Sequence, residues 1–83
     1  MDHYLLTARS VTQAQQMAAI LERSGIFARV RRIGAGMSKG GCAYSLEVAK
    51  RHYPKALAAL AEAGKRPVKA FFVSDGVRRE VTQ

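Results

Sequence analysis

The sequence has few of the residues that common catalytic and metal sites need. Its 83 residues include one cysteine, Cys42, two histidines, no tryptophan and only six acidic residues. A single cysteine excludes an intramolecular disulfide, a Cys-x-x-Cys redox pair and a zinc site built from several thiolates. The residues contain no recognisable set of nucleophile, base and acid, so we expect no metal, no cofactor and no independent turnover.

Long apolar runs are also missing. No run approaches the ~18 residues that a membrane-spanning helix needs. The start, Met-Asp-His-Tyr, lacks the basic region and apolar stretch of a signal peptide. A free thiol without a signal peptide is typical of a reducing compartment, so we expect a cytoplasmic protein that does not enter the membrane.

Along the chain, residue patterns typical of strands alternate with patterns typical of helices. Residues 3–8 form a short apolar run with β-forming side chains, and later segments alternate with the period of two that half-buried strands show. Helical spacing follows Ser10, which can cap a helix with Gln13, and Pro54, which fits the first turn of another. In order, the predicted elements are a strand (3–8), a helix (10–25), a strand (28–31), a glycine-rich loop (34–41), a strand (42–48), a helix (54–64) and a strand (68–73).

This order, β-α-β-β-α-β, predicts an α+β domain of the ferredoxin-like type. In that fold a four-stranded antiparallel sheet carries two helices on one face. We expect residues 1–75 to form a single domain. Residues 76–83 show no clear pattern and are predicted to be a flexible basic tail.

The same topology predicts where Cys42 lies. The first and third strands are antiparallel neighbours, so the start of the third should lie beside the end of the first, where the first helix begins. Cys42 should then lie near Thr7, Arg9 and Ser10. A helix N-terminus, the positive side chains of Arg9 and Lys39, and the backbone amides of Gly40 and Gly41 would all favour a thiolate. The alternative is inert packing, because free cysteine is among the most buried residue types.

Several short motifs resemble those of the selenium/sulfur carrier-like proteins, a small family of otherwise unknown function. They are Tyr4-Leu5-Leu6-Thr7-Ala8-Arg9-Ser10, a helix that ends in Ser24-Gly25-Ile26, and a Ser-x-x-x-Cys pattern formed by Ser38 and Cys42. The similarity covers residues 3 to about 64. It departs from the family at Phe27 and Ala43, where proline and glycine are usual.

The resemblance implies that Cys42 accepts a sulfur or selenium atom. The residues expected to support it are Thr7, Arg9, Ser10, Ser38, Lys39, Gly40 and Gly41; together with Cys42 we call them the Cys42 site. Such a carrier would have a donor or acceptor protein as its partner.

Two other functions stay open at this point. The formal net charge is +8. Between residues 28 and 69 there are ten basic residues and only two acidic ones, Glu47 and Glu62. This imbalance predicts weak, sequence-independent association with RNA or another polyanion. The sequence also fits an interaction module or homodimer without chemistry. Because Phe71 and Phe72 are adjacent, one of them should point away from the helices, where it could contact a partner.

Overall fold

The computed structural model describes residues 2–32 and 44–81. Within these ranges, two helices pack on a five-stranded antiparallel sheet. The helices are α1 (Val11–Arg23) and α2 (Tyr53–Glu62), and a short 3₁₀ turn at Lys50–His52 leads into α2. The strands are β1 (His3–Ala8), β2 (Arg29–Arg32), β3 (Tyr44–Ala49), β4 (Ala70–Ser74) and β5 (Val77–Val81). The α+β class is confirmed.

The sheet has β1 at its centre. The strand order is β2-β3-β1-β4-β5, and every neighbouring pair is antiparallel. Leu6 of β1 lies between Leu46 of β3 and Ala70 of β4. The predicted antiparallel pairing of the first and third strands is therefore confirmed, with Ala8 opposite Tyr44 at one end of the pair.

The prediction of four strands is wrong, because the chain folds back after β4 and adds a fifth. Residues 77–81, which the sequence analysis assigns to a flexible basic tail, pair with β4 from Ser74↔Val77 to Ala70↔Val81. The turn between them has φ of 53° at Asp75 and 78° at Gly76. Two consecutive positive φ values match the twist of an antiparallel hairpin, and Asp-Gly is one of the dipeptides that readily adopt them.

The ends of α1 follow the predicted signals. The Ser10 hydroxyl accepts a hydrogen bond of 3.1 Å from the Gln13 backbone N–H. The Gln13 side chain in turn accepts one of 3.0 Å from the Arg9 backbone N–H. At the other end Gly25 has a φ of 78°, which lets the Ile26 N–H donate back to the Leu21 carbonyl at 2.9 Å.

Both helices cover the same face of the sheet. Leu6 and Leu46 point to this face and belong to one buried cluster with Met17 and Leu21 of α1 and Leu60 of α2. Each of these five side chains is at most 1% exposed. No helix within residues 2–32 and 44–81 has the length and apolar character needed to cross a membrane.

The other side of the sheet carries no helix in the described part of the chain, and we call it the open face. Because side chains alternate along a strand, its residues are those between the core positions. They are His3, Leu5, Thr7, Arg29, Arg31, Ser45, Glu47, Ala49, Phe71, Val73, Arg78 and Glu80.

Candidate functional site

The end of β1 and the start of β3 meet where α1 begins. Ala8, the last residue of β1, is the partner of Tyr44, the first residue of β3. Ser10 then caps α1 only two residues after Ala8. Arg9 and Ser10 are exposed, and the first turn of α1 contains no acidic residue. The start of β3 at Tyr44 therefore lies at the same end of the sheet as a helix N-terminus whose first turn contains no carboxylate.

The described residues contain three members of the Cys42 site: Thr7, Arg9 and Ser10. Arg9 and Ser10 lie side by side at the start of α1, and both take part in its capping hydrogen bonds. The other five members lie outside the described residues. They are Ser38, Lys39, Gly40, Gly41 and Cys42.

Thr7 has a structural role in this geometry. Its hydroxyl donates to the Lys69 carbonyl at 3.2 Å and accepts from the Lys69 backbone N–H at 2.8 Å. The residue is only 4% exposed and lies on the open face, whereas its neighbour Ala8 belongs to the core under the helices. The Thr7 hydroxyl thus joins β1 to the segment that leads into β4.

An aromatic cluster occupies the opposite end of β1. The ring of Tyr53 in α2 stacks on that of Tyr4, with centroids 3.6 Å apart and planes 4° from parallel. Phe72 packs beside Tyr4 at 4.9 Å, and the Lys50 ammonium lies 5.7 Å from the centre of the Phe72 ring. Burial, and secondly the charge of Tyr4, raises the pKa of Tyr53 above its ordinary value of 10.0. The stack therefore anchors the start of α2 to β1, and the Tyr53 phenol keeps its proton near neutral pH.

The open face has an apolar centre. Leu5 is paired with Phe71 on β4, and Val73 follows two residues along the same strand. All three side chains are half-buried rather than covered. Glu47 is the partner of Leu5 on β3, and Glu80 is the partner of Phe71 on β5, so one carboxylate lies on each side of the centre.

Cationic side chains surround this centre. Arg29 and Arg31 lie on β2, and Arg78 lies on β5; all three are exposed. The Glu47 carboxylate is 3.9 Å from both the Arg31 Nε and the His3 Nε2. Its negative charge is thus partly offset by Arg31 on the same face.

A cleft of about 570 Å³ opens where β1 begins. It is bounded by Arg29, Glu47 and His3 of the open face, by Phe27, and by Arg51 and His52 of the 3₁₀ turn. The Phe27 side chain is 77% exposed. Among the described residues, no three His, Cys, Asp or Glu side chains are grouped so that they could hold a metal ion.

The sequence predicted these arginines only as part of a general basic surface, and it did not predict the cleft. The residues come from three separate segments, and only the pairing of Arg29 with Glu47 and of Glu47 with Leu5 brings them together. The available signal was the alternation of Arg29 and Arg31, which places both arginines on one side of β2.

The chain matches no family model, no curated protein and no solved structure.

Proposed function

We propose that the protein is a carrier that holds a sulfur or selenium atom on Cys42. The Cys42 thiolate attacks the outer sulfur of a donor persulfide, forms a new sulfur–sulfur bond and releases the donor as its thiolate. No net oxidation occurs, because the transferred sulfur keeps its oxidation state. An acceptor thiolate takes the atom by the same exchange, which regenerates the Cys42 thiolate. The partners are therefore a donor and an acceptor protein.

The pairing of Ala8 with Tyr44 is the observation that carries this proposal. Cys42 precedes Tyr44 by two residues, and two residues of chain span at most ~7 Å. Ser10 follows Ala8 by the same number of residues and begins α1. We therefore propose that Cys42 lies at the end of the sheet where α1 begins, as the motif resemblance implies.

Electrostatics at this end of the sheet favour an anionic sulfur. A helix N-terminus carries a partial positive charge and unpaired backbone amides. Arg9 adds a full charge at the same end, and no acidic residue in the first turn of α1 opposes it. A persulfide on Cys42, or its selenium analogue Cys-S-Se⁻, is an anion at neutral pH and would be stabilised by the same field.

The fold and location belong to this proposal. We assign the part of the sheet with order β2-β3-β1-β4, together with α1 and α2, to the ferredoxin-like arrangement, with β5 as an addition at its edge. We also assign the protein to the cytoplasm, where reducing conditions keep a single thiol available for exchange.

Intact mass spectrometry tests the carrier function directly. Wild type and Cys42→Ser are incubated with glutathione persulfide, desalted and weighed. We expect wild type to gain the mass of one sulfur atom and to lose it on treatment with dithiothreitol, and Cys42→Ser to gain nothing. An unchanged wild-type mass would show that Cys42 does not accept sulfur.

The rate of iodoacetamide labelling tests the electrostatic argument. Cys42 should alkylate faster at pH 7 than glutathione does, since its pKa should be below the ordinary value of ~8.5. Lys39→Glu should slow the reaction, whereas Lys55→Glu, an equal charge change in α2, should leave it unaltered. A thiol that titrates at or above the ordinary value would mean that Cys42 is core packing, and the carrier proposal would then fail.

A further inference from the structure

We infer that the open face binds single-stranded nucleic acid, with Phe71 and Phe27 stacking on bases and Arg29 and Arg31 contacting phosphates. This activity is separate from the chemistry proposed for Cys42. It uses the opposite side of the sheet from the helices.

The apolar centre of the face can receive a base. Phe71 lies between its strand partners Leu5 and Glu80 and is half-buried, so part of its ring remains accessible. Neither α1 nor α2 reaches this side, because both pack on the face that contains Leu6. Bases stack on exposed aromatic rings with little dependence on sequence, since every base has a π-face.

A second aromatic side chain extends the same surface. Phe27 is 77% exposed and borders the cleft of about 570 Å³ together with Arg29 and Glu47 of the open face. That volume lies within the range of ordinary small-molecule sites. The cleft and the open face share Arg29 and Glu47, so a nucleic-acid strand that occupies one of them can continue into the other.

The charges select a polyanion rather than a second copy of this chain. Arg29, Arg31 and Arg78 on the face and Arg51 in the cleft are all exposed. The face also holds two carboxylates, Glu47 and Glu80, and Glu47 is 3.9 Å from the Arg31 Nε. Two copies with a net charge of +8 would repel each other, whereas phosphates would be attracted.

Stacking requires bases that are not already stacked on each other. In a duplex the faces of the bases are covered by their neighbours, so Phe71 and Phe27 can engage only a single strand. The surface therefore predicts a preference for single-stranded over double-stranded nucleic acid at equal phosphate charge.

Fluorescence anisotropy with three labelled probes tests the inference. The probes are a single-stranded RNA, an abasic strand of the same length and an RNA duplex. The single strands have ~12 nucleotides, a length within the site sizes known for single-strand-binding domains. We expect the RNA single strand to bind at least about fivefold more tightly than either of the others. Phe71→Ala should weaken its binding about tenfold but should change binding of the abasic strand by less than twofold.

Charge-matched variants separate the open face from a general basic surface. Arg29→Gln combined with Arg31→Gln removes two charges from the open face. Arg23→Gln combined with Lys55→Gln removes two exposed charges from the helices. The first pair should lower the number of counterions released on binding, measured from the slope of log affinity against log salt concentration, by about two. The second pair should alter the affinity by less than twofold.

Three results would overturn the inference. Equal affinity for the RNA and abasic single strands would show that bases do not stack. Equal losses of RNA affinity in the two double variants would show that RNA is attracted by the overall charge and not by a site. A dimer detected by light scattering and abolished by Phe71→Ala would assign the face to a second copy.

Two controls keep the test independent of folding and of the carrier proposal. Phe27→Ala serves if Phe71→Ala unfolds, because a side chain that is 77% exposed contributes little to the core; it should weaken RNA binding in the same way. Cys42→Ser should bind RNA as wild type does, so the failure of one proposal leaves the other standing.

Discussion

The ring of Tyr53 lies flat on the ring of Tyr4, with 3.6 Å between their centroids. Tyr53 opens α2 and Tyr4 is the second residue of β1, so this contact joins the start of the second helix to the central strand. Phe72 of β4 packs against the same Tyr4 ring. The Tyr53 hydroxyl is buried and has no hydrogen-bond partner among the described residues.

Removing that hydroxyl should not cost stability. An unpaired buried hydroxyl loses its hydrogen bonds to water without a replacement, whereas the ring keeps the stack. Tyr53→Phe should therefore leave the free energy of unfolding unchanged or raise it by up to about 1 kcal/mol. Tyr53→Ala, which deletes the ring, should lower it by about 3 kcal/mol. Urea denaturation at pH 7 measures both, and a clear loss in Tyr53→Phe would show that the hydroxyl has a partner.

The same residue should make stability depend on alkaline pH. The pKa of Tyr53 is raised in the folded state, mainly by burial, so the folded protein holds the phenolic proton more tightly than the unfolded chain does. This contribution is fully present below the ordinary pKa of 10.0 and is lost as pH rises through the raised value. Urea denaturation from pH 9 to pH 11 should show a shallower decline for Tyr53→Phe than for wild type. If the free energy of unfolding declines equally with pH in both proteins, the pKa of Tyr53 is not raised by folding.

Two adjacent leucines test the assignment of the sheet faces. Leu6 has no exposed surface and lies under the helices, whereas Leu5 is half-buried on the open face. Leu6→Ala should lower the free energy of unfolding by about 2–5 kcal/mol, because it leaves a cavity in a closed core. Leu5→Ala, the same change one residue earlier, should cost about 1 kcal/mol or less. Comparable losses in the two variants would mean that the open face is covered.

The turn before β5 provides a test of the fifth strand. Gly76 has a φ of 78°, and a Cβ there would meet nothing within 4 Å, so only the backbone conformation opposes a side chain. Gly76→Ala should therefore lower the free energy of unfolding by about 1 kcal/mol. Asp75→Gly is the matched control: Asp75 has a φ of 53°, and glycine should relieve its strain. If Gly76→Ala unfolds at the same urea concentration as wild type, residues 77–81 do not form a hairpin with β4.

Local signals in the sequence predicted the ends of several elements. The bounds of β1 and the cap at Ser10 follow from the residues themselves, because a short apolar run and a capping hydroxyl act on their immediate neighbours. Gly25 and Gly64 end the two helices with φ of 78° and 73°, as a residue without a Cβ allows. The antiparallel pairing of β1 with β3 was also predictable, since few topologies connect such an order of elements.

β5 was missed although Asp75-Gly76 is a strong hairpin signal. Its central residues, Arg78, Arg79 and Glu80, are all charged and exposed, so no apolar alternation marks a strand. An edge strand of this kind is held by backbone pairing with β4. Charged side chains on it also hinder pairing with other chains.

The sequence predicted the ends of the helices at Ser10, Gly25 and Gly64, because a capping hydroxyl or a glycine acts on its immediate neighbours along the chain. Which strand residues are buried depends instead on the helices that cover one face of the sheet. Only the tertiary structure decided that Thr7 is bonded to Lys69, that Tyr53 stacks on Tyr4, and that the arginines of β2 lie beside the cleft. These contacts join residues that are distant in sequence. They depend on the register between strands, and a shift of one residue would move every side chain to the other face of the sheet.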